Sequence, residues 1–159
     1  MISLFNKIRQ SAERAIENPN ARWARLSKEL ADAISKHREV FSMRVFASDW
    51  SLTSEEQARL GAETYKKYVT KAGKDHDISE SEARSLEVIQ RVLEVGTTTA
   101  EQIREEVTAK SFAEYLSVVV ENHEVDESEL ARLKRLAALA GLTCEEMIRK
   151  HAASVYVGR

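Results

Sequence analysis

Apolar residues recur every three or four positions through almost the whole chain, which is the period of one buried helix face. Ile2, Phe5, Ile8, Ala12, Ala15 and Ile16 share the first such face, and Asn18-Pro19-Asn20 interrupts it. Trp23, Leu26, Leu30, Ile34, His37, Phe41 and Val45 form the next stripe. It predicts one long helix ending near Ser48, with His37 half-buried on its inner face. Ala58, Gly61, Tyr65, Tyr68, Val69 and Ala72 follow, with Gly73 as a stop. Ala83, Leu86, Ile89 and Leu93 predict a further helix that ends by Gly96. Thr98 with Glu101 reads as a cap leading into Ile103 and Val107, and Ser111 with Glu114 as a restart before Phe112, Tyr115, Leu116 and Val119. Leu130, Leu133, Ala137 and Ala140 run to Gly141, after which Thr143 and Glu146 open a last helix with Met147, Ile148, Ala152 and Val155. A strand has one candidate, Val118-Val119-Val120, but its neighbours keep the helical spacing and it is read as helix.

The turn-forming pieces between these stripes are short, as in a packed bundle. The expected fold is all-α, a single compact bundle of about seven helices over residues 1–159. Residues 1–18 are expected to form an amphipathic N-terminal helix that can sit at the periphery of the bundle. Five glycines and one proline argue against a loop-rich β architecture, and 43% hydrophobic with 31% charged residues is a globular balance. A net charge of −2 offers no basic field for nucleic acid. The single cysteine, Cys144, excludes an internal disulfide and fits a reducing compartment. No apolar run approaches the roughly 20 residues that span a bilayer, and no signal peptide is recognised. A cytoplasmic, bacterial-type protein is expected. Lys7, Arg9 and Arg14 would let the N-terminal helix touch a membrane surface, although Glu13 and Glu17 dilute its charge and packing on the bundle is the better expectation.

One pattern occurs three times, as DWSLTSEEQARL from Asp49, DHDISESEARSL from Asp75 and NHEVDESELARL from Asn122. Each holds an aliphatic residue at its fourth place, a capping residue at its fifth (Thr53, Ser79, Asp126) and glutamate at its eighth (Glu56, Glu82, Glu129). Reciprocal capping explains the fifth and eighth places: the cap oxygen accepts the third helical N–H and the glutamate accepts the cap's own N–H. The aliphatic residue before the cap suggests a hydrophobic staple, Ile78 with Ala83 and Val125 with Leu130. Capping leaves Asp49, Asp75, Asp77, Asn122 and Glu124 unexplained. If two of these loops meet, their oxygens suit Ca²⁺ or Mg²⁺, with Zn²⁺ a weaker expectation through His76 and His123. A twelve-residue calcium hand is excluded from Asp75, where Glu80 stands in place of the turn glycine and Leu86 in place of the final glutamate.

These loops carry a resemblance. MISLFNKIR, FASDWSLTSEE and VVENHEVDESELARLKRLAALAGLTCEEM together resemble the TerB-like family of helical domains, first associated with bacterial tellurite resistance. The likeness covers the whole chain loosely and about a third of it closely. It implies an all-helical fold with two acidic loops brought near each other, a surface that binds a divalent metal or a partner, and a role in stress response or defence. Carried over by position, the family's loop residues fall on Asp49 and Glu56, then Asn122 and Glu129. The chain departs from the family where glycine usually follows the aspartate: Trp50 and His123 stand there, and Asn122 lacks a charge.

Two readings of function follow. In the first, the acidic loops hold a divalent cation through Asp49, Glu56, Asp75, Asp77, Glu82, Asn122, Glu124 and Glu129, and the loaded surface recruits a protein partner. In the second, a metal-free adaptor or immunity-type protein holds its partner on a helix face, with the Trp23 to Val45 stripe as candidate. Cys144 at the start of the last helix has no histidine close in sequence to serve as a base, and Glu145 and Glu146 oppose thiolate formation. With no phosphate-cradling glycine loop, nucleophile elbow or HExxH pair, no enzyme is expected.

Overall fold

The computed structural model describes residues 4, 7–9, 11–12, 18–122 and 124–156. It is all-helical, with no strand among the described residues. From Pro19 onward the described residues form α1 (Pro19–His37), α2 (Met43–Asp49), α3 (Ser54–Ala72), α4 (Glu80–Val92), α5 (Thr97–Glu121), α6 (Glu127–Leu139) and α7 (Cys144–Tyr156), with a 3₁₀ turn (Arg38–Val40) between α1 and α2. The N-terminal helix expected over residues 1–18 and the ligand role expected for His123 lie wholly or largely outside the described residues, as do the side chains of Ala152 and Val155.

Every repeated motif starts a helix through the predicted reciprocal cap. Thr53, Ser79 and Asp126 accept the backbone N–H of Glu56, Glu82 and Glu129, and each glutamate accepts the cap residue's N–H in return. Thr143 accepts from the N–H of Glu146 in the same way. The staple is real at α4, where Ile78 is buried and Ala83 packs on the same cluster. At α6 the corresponding pair, Val125 and Leu130, is exposed and adds nothing to the buried core.

The helix ends share a device of their own. After α2, α4 and α6, one residue takes a positive φ (Ser51 50°, Glu94 54°, Gly141 74°). The N–H of the next residue (Leu52, Val95, Leu142) then reaches back to Ala47, Gln90 and Ala137. This is the paired-bond exit that closes the last carbonyls of a helix. Glycine fills the position only at 141, where an added Cβ would meet no atom within 4 Å. Gly141→Ala therefore isolates the left-handed backbone term, and urea unfolding should show a loss of about 1 kcal/mol.

Three sequence expectations need correction. The stripe from Trp23 to Val45 is two helices, because the chain turns at Arg38 (φ 41°) and Phe41 is extended (φ −66°, ψ 137°). The break redirects the chain so that α2 buries Met43, Phe46 and Ala47, whereas Val45 points outward. His37, at the end of α1, is exposed rather than half-buried. Nor does a helix restart at Ser111: α5 is one helix of 25 residues that begins at Thr97 with Gly96 as its cap. The Ser111 hydroxyl instead donates to the carbonyl of Gly73 in another helix end. Val118-Val119-Val120 is helical, as predicted.

Two apolar clusters share α5. The first joins α1 to α4 with the front of α5, through Leu26, Leu30, Phe46, Leu60, Tyr65, Val69, Leu93 and Val107. The second joins the rear of α5 to α6 and α7, through Phe112, Leu133, Leu136, Ala137 and Met147. Burial on several sides explains why α5 carries no clean apolar stripe.

Candidate functional site

The acidic loops do not gather in one place. The Asp49–Glu56 loop leads into α3, and the Asp75–Glu82 loop leaves its far end. Nineteen helical residues separate them, about 28 Å along the axis. The convergence expected for Asp49 and Glu56 with the remaining loop residues is therefore not what the fold provides. Asp49 is the last residue of α2 rather than a group lying over a helix start. Glu56 accepts from the N–H of Thr53 through one carboxylate oxygen and from Arg22 of α1 through the other, at 3.0 Å.

The other two loops lie toward the same end of the molecule, with arginines between them. Asp77 receives Arg135 at 2.8 Å and lies 3.9 Å from Arg132, both on α6. Asp75 accepts from the N–H of Asp77, which folds the loop back on itself. Glu82 receives both the N–H and the hydroxyl of Ser79, and Glu129 receives the N–H of Asp126. Asn122 caps the end of α5 through its backbone N–H, donated to Val120. Glu124 is exposed. Among the described residues no group of three or more His, Cys, Asp or Glu side chains is placed to hold a metal ion.

Sequence reasoning missed the clasp that this loop makes with α5 and α6. His76, held at φ 57°, bonds Glu114 at 3.1 Å and stacks on Tyr115. Arg132 covers the same tyrosine ring at 5.7 Å. Asp77 and His76 thus fasten the α3–α4 connection to the second cluster by charge and stacking. The geometry gives His76, a weaker expectation as a Zn²⁺ ligand, a hydrogen-bond partner in Glu114 instead.

A second feature was also missed. Lys67 and Lys71 fall four residues apart on one exposed face of α3, and exposed Lys74 follows in the turn just beyond its end. Together with Lys66 and with Lys110 of α5 they border a groove of about 920 Å³ that runs between α3 and α5. The lysine spacing was present in YKKYVTKAGK, but the helix partner that makes it a groove was not. Carboxylates also line it. Glu106 is taken by Lys66 at 2.7 Å and Glu114 by His76. Glu63 receives the indole N–H of Trp23 at 2.6 Å and Arg59 at 2.9 Å. Burial pushes the Glu63 carboxyl upward, but these two hydrogen bonds and the nearby Arg59 and Lys67 charges outweigh it and hold the group below its ordinary range.

The Cys144 thiol is held above its ordinary value by burial, against a small opposing pull from Lys134. It therefore stays protonated at neutral pH, the inert form. No helix among the described residues is long and apolar enough to cross a membrane. Compared with known proteins, the chain matches no family model, no curated protein and no solved structure.

Proposed function

We propose that this chain is a non-catalytic, TerB-like helical module that holds a protein partner without a resident cation, in a stress-response or defence setting of the bacterial cytoplasm. The observation that carries the metal-free part is the commitment of the loop carboxylates. Glu56, Glu82 and Glu129 each accept a cap N–H, and Asp77 is covered by two arginines. A divalent cation would have to displace guanidinium or uncap a helix, each at a loss of charge-assisted hydrogen bonds. The setting rests on the sequence resemblance alone. The adaptor part rests on an exposed, concave and charged surface beside a filled core. The Trp23 to Val45 stripe does not serve as the partner face in this reading, because Leu26, Leu30 and Ile34 are core residues.

Chelator-stripped protein melted with and without Ca²⁺, Mg²⁺ or Zn²⁺ tests the reading. The midpoint should stay within about 1 °C for every ion, which is well below the shift of a ligand present at a hundred times its Kd. A Glu56→Gln, Glu129→Gln double variant should melt lower by the same amount with or without metal, since only caps are weakened. A rise of several degrees with one ion that vanishes in the double variant would replace this reading with the cation-binding one.

A further inference from the structure

The groove between α3 and α5 has a charge pattern that the packing of the molecule does not use. Lys66 to Glu106 and His76 to Glu114 pair across it, which shows that the two helices run in the same direction. Glu63 is engaged by Trp23 and Arg59. Lys71, Lys74 and Lys110 also line the groove without an ion pair among the described residues, and Lys67 beside them acts on Glu63 through its charge alone. Folding leaves most of this positive charge unpaired, and an open wall where five lysines outnumber three carboxylates raises the local concentration of anions. The floor includes Val107 and the backbone of Gly73, so the trough has an apolar strip beneath its charged rims.

We infer that this groove is the seat of the partner, and that the partner presents a short acidic peptide segment to it; the inference rests on the adaptor reading above. The stretch from Lys66 to Lys74 is about 12 Å long, enough for roughly four residues of extended chain. Lysines offer point charges on flexible stems rather than planar forks, so they suit carboxylates spaced along a peptide without demanding one geometry. Their methylene stems also cover apolar side chains between those carboxylates. The three carboxylates on the walls argue for peptide over a continuous polyanion. A phosphodiester strand or an anionic lipid surface would bring uninterrupted negative charge against Glu63, Glu106 and Glu114, whereas a peptide can place neutral residues there.

Fluorescence anisotropy of a labelled peptide of about eight residues, alternating glutamate with alanine, tests the proposal on the full chain. Binding is expected at low salt and should weaken as ionic strength rises to the physiological range, where the screening length is about 8 Å. Reversing Lys67, Lys71 and Lys110 to glutamate should weaken it on the order of tenfold or more. A control with the same change in net charge, Lys36→Glu, Arg84→Glu and Arg91→Glu, should leave it nearly unchanged, and circular dichroism should show both triple variants folded. No binding, or equal losses in both variants, would overturn the inference. So would tighter binding of phosphatidylserine vesicles or of an oligothymidine strand than of the peptide. Failure here with no metal response leaves the adaptor reading in place with a different face. A metal-dependent melting shift sinks that reading whatever the peptide does.

Discussion

Phe112→Ala is expected to lower the free energy of unfolding by about 3–5 kcal/mol, read from the urea midpoint at unchanged slope. Phe112 is 2% exposed and sits in the second cluster with Leu133, Leu136, Ala137 and Met147. It stands on α5, the helix that both clusters share, and its ring is buried among side chains of α6 and α7. Helices are rigid on the scale of a missing ring and relax only in part, which leaves a cavity in addition to the lost burial. For a domain of this size such a loss is a large fraction of total stability. A decrease below about 1 kcal/mol would mean that α6 and α7 collapse onto α5, and the second cluster would then be loosely packed rather than close-packed.

Gly61→Val should cost about 2 kcal/mol, against what helix propensity predicts. Within an exposed helix, replacing glycine with another residue is favourable by up to about 1 kcal/mol. At 61 the added Cβ would stand 2.9 Å from the carbonyl oxygen of Leu93 and 3.8 Å from a methyl of Val95. The obstacle is backbone, and it is pinned. Leu93 is the C-cap of α4, and Val95 donates back to Gln90 to close that helix end. Making room means separating α3 from α4, which carries the penalty of an overpacked core. Thermal or urea unfolding of Gly61→Val decides the matter: a stabilised variant would show that the two helices do not approach as closely as the geometry requires.

Gly61 also marks how far the sequence could be read. Its place on an apolar stripe with Tyr65 and Val69 was legible, but the reason for a glycine there was not, since the carbonyl that excludes a side chain belongs to a residue 32 positions later. The same division runs through the loops. Caps act over three residues, so Thr53 with Glu56, Ser79 with Glu82 and Asp126 with Glu129 could be paired from the chain alone, and all three pairs form. Ion pairs such as Asp77 with Arg135 span 58 positions and leave no local trace. Ser111 misled for the opposite reason. It is a capping residue type followed by a glutamate at the right interval, yet its hydroxyl found the Gly73 carbonyl across the helix interface, and α5 ran through unbroken.

The amino-acid order by itself determined that the chain is helical, where three helices begin, and which face of most helices is apolar, because caps and the 3.6-residue period are short-range properties. Tertiary structure alone decided which loops share an end of the molecule, that an arginine pair covers Asp77, and that lysines on α3 face a lysine on α5 across a groove. Those outcomes depend on how rigid helices of particular lengths pack, and nineteen residues of α3 are enough to hold two motifs of the same pattern at opposite ends.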